Sequence, residues 1–251
     1  METKANRWFS IAESSIPGPR FLQTCRAISI AIWFLTIPWL SSKGLTWPSE
    51  NPVPAGKEKD RPSSRVVLFF GDSLTAGFGV SSDEAFPALI QKKIQSAGWN
   101  MEVVNAGLSG ETTAAGVRRI DWVLNRKIDV LVLALGGNDG LRGIPLEATR
   151  RNLQEIIERT RGRCPQVKIV VAGMQIPPTL GPEYTTGFQA IFPAIARKNG
   201  AVLIPFLLEG VGGMRELNQV DGIHPSPEGH RIIAQNVWKV LEPLLKSLAK
   251  G

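Results

Sequence analysis

From residue 65 onward the chain alternates short, continuously apolar runs with longer stretches whose apolar positions recur at helical spacing. The runs 66–70, 101–105, 130–135, 167–172 and 202–204 are rich in Val, Ile, Leu and Phe and predict strands. The stretches 85–97, 112–124, 146–161, 188–198 and 227–245 predict helices. A strand that is apolar on both sides has no face to offer water, so it belongs in a parallel sheet with helices over both surfaces. The pattern therefore predicts an α/β fold, a three-layer α/β/α sandwich around a parallel sheet of about five strands. Ligands of such open sheets bind beyond the carboxyl ends of the strands. Ser73, Gly110, Asn138 and the segment after Ala172 all follow predicted strands and should converge on that edge.

Upstream the pattern changes. Residues 27–40 are almost wholly apolar, interrupted by Ser29, Thr36 and Pro38, with Arg20 and Arg26 ahead and Lys43 behind. The run is shorter than the roughly 20 residues of a comfortable membrane span, and its length suits the apolar part of an export signal. A long leader containing Pro17-Gly18-Pro19, and no small-x-small site after Leu40, leave an uncleaved membrane anchor or a buried helix as alternatives. Residues 41–64 carry prolines at 48, 52, 54 and 62 among Ser, Lys and Glu, a composition too polar to offset the cost of ordering. The expected organisation is a signal or anchor over 1–40, a linker over 41–64 and one catalytic domain over 65–251. That implies an exported protein, periplasmic or membrane-anchored, with membrane association limited to 27–40 and a monomeric catalytic domain.

Composition narrows the partners. A hydrophobic content of 43% with 20% charged residues fits an ordinary globular domain. The net charge of +7 raises nucleic acid as a partner, but the Lys and Arg residues are scattered beyond pairs such as Arg118-Arg119. A solvated basic surface explains them, and no nucleic-acid partner is expected. Cys25 and Cys164 have no metal-ligand spacing, so neither a disulfide framework nor a zinc site is indicated. Cys164 is expected to pack as a small hydrophobe.

The candidate chemistry lies at both ends of the domain. Ser73 follows the first strand, and Asp221 and His224 stand three residues apart near the last helix. A serine hydroxyl needs a base to take its proton, and the base works best when a carboxylate orients it. The chain holds only two histidines, and His230 falls inside a predicted helix as a surface or packing residue. Taken alone, Ser73 is better explained by a helix cap, Gly110 by a turn and Asn138 by an Asx turn. Asp72 reads as a carboxylate that holds its turn through neighbouring N–H groups. No G-x-S-x-G elbow, phosphate-binding glycine loop or metal-ligand spacing occurs, so no metal or other cofactor is expected.

Four ordered stretches carry a resemblance. They are Gly71-Asp72-Ser73-Leu74, Asn105-Ala106-Gly107 with Leu108-Ser109-Gly110, Gly136-Gly137-Asn138-Asp139 running on to Gly143, and Asp221-Gly222-Ile223-His224-Pro225. In this order they resemble the sequence blocks of the GDSL hydrolases, also called SGNH hydrolases, and of their arylesterase, thioesterase I and lysophospholipase L1 subgroup in particular. The resemblance implies a flavodoxin-like sheet and a serine esterase or thioesterase acting on a small-molecule ester or thioester, without a cofactor. It makes Ser73, Asp221 and His224 the catalytic residues. The oxyanion donors become the N–H groups of Ser73 and Gly110 and the amide of Asn138. The apolar character of 175–180 places Ile176 and Pro177, with Leu141, beside an acyl chain. A sugar O-acetylesterase, which needs a polar aromatic platform, and a non-catalytic membrane-tethered binding module remain the rivals.

Overall fold

The computed structural model describes residues 64–250. Cys25 and the expected signal, anchor and linker segments therefore lie outside the described residues, apart from Ser64. Five strands form one parallel sheet in the order β2-β1-β3-β4-β5. They are β1 (Arg65–Gly71), β2 (Met101–Gly107), β3 (Val130–Ala134), β4 (Lys168–Ala172) and β5 (Val202–Ile204). Each expected strand is present, with ends shifted by at most two residues. In register, Gly71 pairs with Gly107 on one side and Ala134 on the other, so three strand ends finish level beside one another.

Seven α-helices accompany the sheet among the described residues: α1 (Ser73–Ala76), α2 (Phe86–Ser96), α3 (Thr113–Val123), α4 (Gly137–Leu141), α5 (Leu146–Arg163), α6 (Pro182–Lys198) and α7 (Pro227–Ala249). Helices α3, α5 and α6 pack in a row on one face, while α2 and α7 pack together on the other. This is the arrangement that right-handed crossovers impose when a chain first winds one way from β1 and then reverses. The reversal lies at β1, which pairs with both β2 and β3.

The period of two within β1 explains how the layers lock. Phe69 and Phe70 are both fully buried on opposite faces. Phe69 meets Phe86 of α2 edge-on at 5.5 Å between centroids. On the other face, the Arg119 guanidinium of α3 lies 4.4 Å from the centroid of the Phe70 ring. Full burial of one such ring is worth about 2–3 kcal/mol, so β1 is anchored from both sides just before the chain turns.

Two elements were not expected from the pattern. Helices of four and five residues, α1 and α4, are too short to display an apolar period. Helix α6 begins at Pro182, six residues ahead of the expectation, because its first turns carry Pro182, Glu183, Thr185 and Thr186 and bury little. Pro182 suits a first helical turn, where its missing N–H costs nothing.

Candidate active site

Ser73 is the first residue of α1 and follows β1 after one residue. The helix cap is Asp72, whose Oδ1 accepts the Leu74 N–H at 3.1 Å. Ser73 is therefore free of the capping role, with its own N–H at a helix start and donating to no protein group among the described residues. Gly71 is required by close approach: a Cβ there would lie 2.0 Å from Thr75 Oγ1 and 2.8 Å from the Ala134 carbonyl oxygen. The turn thus presses against both β3 and α1, which fixes where Ser73 emerges. Asp72 is almost fully buried, and loss of solvation raises its pKa to about 7, with the Leu74 N–H and His224 opposing the rise.

The Asp221–His224 loop comes to this turn from the other end of the sheet. Ser73 Oγ lies 2.9 Å from His224 Nε2, and His224 Nδ1 lies 2.6 Å from Asp221 Oδ2. The other Asp221 oxygen accepts the backbone N–H groups of Ile223 at 2.9 Å and His224 at 3.0 Å. Burial opposes ionisation of Asp221, but the hydrogen bonds from His224 and Ile223 outweigh it and hold the carboxyl below its usual range. An ionised carboxylate only accepts, so the ring proton sits on Nδ1 and the lone pair of Nε2 faces the serine hydroxyl. Ser73, Asp221 and His224 are therefore brought together in one hydrogen-bonded line.

Two further backbone segments reach the same edge. Gly110 lies in the turn between β2 and α3 with φ +79, a left-handed conformation that favours glycine. No atom lies within 4 Å of where its Cβ would sit, so here conformation selects glycine and the space over it stays open. Its N–H donates to no protein acceptor among the described residues. Asn138 sits in the first turn of α4, and one hydrogen of its amide donates to the Glu111 carbonyl at 3.0 Å. The second amide hydrogen remains to donate elsewhere.

Two buried acidic side chains hold these segments in place. The Glu111 carboxylate is paired with Arg119, whose guanidinium also donates to the Ala106 carbonyl at 2.8 Å. That pair ties the 106–111 turn to α3. Asp139, fully buried, accepts the Thr113 N–H at 2.8 Å and hydroxyl at 2.5 Å, and the Thr149 hydroxyl at 3.3 Å. It thereby fastens α4 to α3 and α5.

The apolar candidates divide. Leu141 projects about half exposed at the end of α4. Ile176 is buried, with its Cγ2 only 2.7 Å from where a Cβ on Gly140 would sit. It packs against the backbone of α4 at Gly140. Pro177 is half-buried. Sequence reasoning missed Phe78, which is 48% exposed and whose ring centroid lies 4.6 Å from that of His224. An aromatic residue between two glycines is the one local signal that could have found it. His230 is a packing residue, fully buried, with Nδ1 accepting the Phe86 N–H at the start of α2 over 3.3 Å. Cys164 is buried as a free thiol. Among the described residues, no three His, Cys, Asp or Glu side chains gather where they could hold a metal ion.

Comparison with known proteins adds an independent finding. Residues 69–232 match the model of the GDSL-like Lipase/Acylhydrolase family. The chain is 38% identical over 184 residues to Esterase TesA of Pseudomonas aeruginosa, covering 73% of this chain and 90% of that protein. It is 36% identical over 181 residues to Thioesterase 1/protease 1/lysophospholipase L1 of Escherichia coli K12, covering 72% of this chain and 85% of that one. The crystal structure of AlinE4, an SGNH-hydrolase family esterase, superimposes with a TM-score of 0.61 at 39% identity, covering 76% of this chain and 98% of AlinE4.

Proposed function

The chain belongs to the GDSL-like lipase/acylhydrolase family, and from that premise we propose that it is a serine esterase and thioesterase working through an acyl-enzyme. One observation carries the residue assignment: Asp221, His224 and Ser73 are joined by hydrogen bonds of 2.6 and 2.9 Å at the sheet edge where donors without acceptors are exposed. Ser73 Oγ attacks the substrate carbonyl as its proton passes to His224 Nε2. Asp221 keeps the other ring proton on Nδ1 and stabilises the imidazolium that forms. The negative charge on the carbonyl oxygen is received by the N–H groups of Ser73 and Gly110 and the second amide hydrogen of Asn138. Collapse expels the alcohol or thiol, which takes its proton from His224. Water then attacks the acyl-enzyme with His224 as base, releasing the carboxylic acid and restoring Ser73.

The substrate is a small-molecule ester. Support for an acyl chain comes from exposed apolar side chains next to the site residues: Phe78, Leu108, Leu141 and Ile223. We assign Leu141 and Pro177 to the chain's path, with Ile176 beneath it. Residues 1–40 remain the proposed export signal or anchor, joined by a linker over 41–64; among the described residues no helix is long and apolar enough to cross a membrane. The test of the function is hydrolysis of p-nitrophenyl esters from acetyl to palmitoyl, and of acyl-CoA, by wild type and Ser73→Ala. Turnover is expected to vanish in the variant, and a serine-directed phosphonate to add once, at Ser73. Wild-type activity in Ser73→Ala would sink the assignment.

A further inference from the structure

Ser73 and His224 are separated by 151 residues, yet their side chains must meet within a few tenths of an ångström for proton transfer. Among the described residues, two hydrogen bonds join the nucleophile turn, residues 72–79, to the base loop, residues 219–225. One is the Ser73–His224 contact itself. The other runs from Gln219 Nε2 to the Phe78 carbonyl at 2.6 Å. The Phe78 N–H donates to the Ser73 carbonyl at 3.0 Å, and the Gln219 N–H donates to the His224 carbonyl at 2.7 Å. The backbones of Ser73 and His224 are therefore linked through Phe78 and Gln219 in a closed circuit of hydrogen bonds. Its last member is the Ser73–His224 bond.

The rest of the surroundings are arranged for the Gln219 side chain. The same Nε2 donates to the Pro225 carbonyl at 3.0 Å, so both amide hydrogens are used and the base loop is closed on itself. A Cβ on Gly79 would lie 2.1 Å from Gln219 Oε1, so the amide lies flush on that backbone. The Phe78 ring, carried by the same anchored residue, rests against the His224 imidazole.

We propose that Gln219 is a positioning residue that sets the separation of Ser73 and His224, acting through Phe78 without touching the substrate. This rests on the assignment of Ser73 and His224 made above. Misplacing reacting groups by about 1 Å costs on the order of a hundredfold. Gln219→Met keeps the length and bulk of the side chain and removes both donors. It is expected to lower kcat about 10–100-fold, with KM within about threefold of wild type, and to slow phosphonate labelling of Ser73 by the same factor as kcat. Gln219→Glu sets a carboxylate against two carbonyl oxygens and should lose at least as much. A role confined to stability would lower Tm while leaving kcat intact well below the melting temperature. A folded Gln219→Met with kcat within about twofold of wild type, or one that raises KM alone, overturns the proposal. If that variant does not fold, Gln219→Leu, which also removes both donors, is read by the same split of kcat from KM. An inactive Ser73→Ala beside a fully active Gln219→Met defeats only the Gln219 role, whereas an active Ser73→Ala defeats the catalytic assignment beneath it.

Discussion

Ser73 stands on a turn flanked by some of the most buried residues of the molecule, whereas Asp221 and His224 stand on a surface loop beside the exposed Val220, Gly222 and Ile223. The first is located by packing: β1 lies between two strands, Phe69 and Phe70 are fully buried, and Gly71 admits no side chain. The second is located by hydrogen bonds that Gln219 and Asp221 make to the loop backbone and to Phe78. Stability and catalysis separate between these two regions. On the strand side they share the same atoms, while on the loop side a residue can be essential to turnover and contribute little to folding.

The largest effect is expected for His224→Ala, a loss of about 10⁴–10⁶-fold in kcat with Tm nearly unchanged, measured by ester turnover beside a thermal melt. Loss of the fold instead would show that the loop supports the core. Phe70→Ala should destabilise by about 3–5 kcal/mol by chemical denaturation, because it empties a filled site between β1 and α3. Asn138→Ala is expected to lower kcat about 10²–10³-fold with a smaller change in KM. If only KM moved, Asn138 would be a substrate-binding group rather than an oxyanion donor.

A smaller effect concerns pH, and here two buried groups oppose each other. Burial lowers the pKa of His230 to about 4 and raises that of Asp72 to about 7. Between about 4 and 6.5 the unfolded chain binds the extra proton at His230, so its contribution to stability is lost as pH falls, by about 3 kcal/mol at most. Between about 4 and 7 the folded state holds the extra proton on Asp72, so the Asp72 contribution is lost as pH rises. Asp72→Asn should therefore leave a protein that weakens on acidification. His230→Gln should leave one that strengthens over the same window. Denaturation midpoints of both variants from pH 7 to pH 4 check the opposed slopes, and parallel slopes would refute them. The smallest effect is expected for Ile223→Ala, within about 0.5 kcal/mol of wild-type stability, since the side chain is half exposed.

Much of this architecture could be read in the chain because packing leaves a local imprint. Continuous apolar runs located all five strands, and the spacing of Asp221 and His224 suited a carboxylate that reaches the adjacent ring. What escaped was non-local or too short to show a period. Nothing near Gln219 announces a hydrogen bond to a carbonyl 141 residues away. The glycines on either side of Phe78 single it out but do not name His224 as the ring it meets, and the pairing of Glu111 with Arg119 spans a strand-to-helix turn that no spacing rule marks. The turn reading of Gly110 agrees with its positive φ, though nothing local gives the direction of its N–H.

The long reach of the Ser73–His224 contact also sets a clock on the enzyme. A ribosome adding about 5–20 residues per second makes the nucleophile roughly 8–30 seconds before it makes the base, given 151 residues between them. Throughout that interval β1 and its partners can assemble while the hydroxyl has no proton acceptor. On the catalytic roles proposed for Ser73 and His224, the nascent chain is silent toward esters until the loop that carries His224 has been made and has met Ser73. On that assignment hydrolytic competence is a late event in the life of each molecule, and activity is expected only after synthesis has passed residue 224.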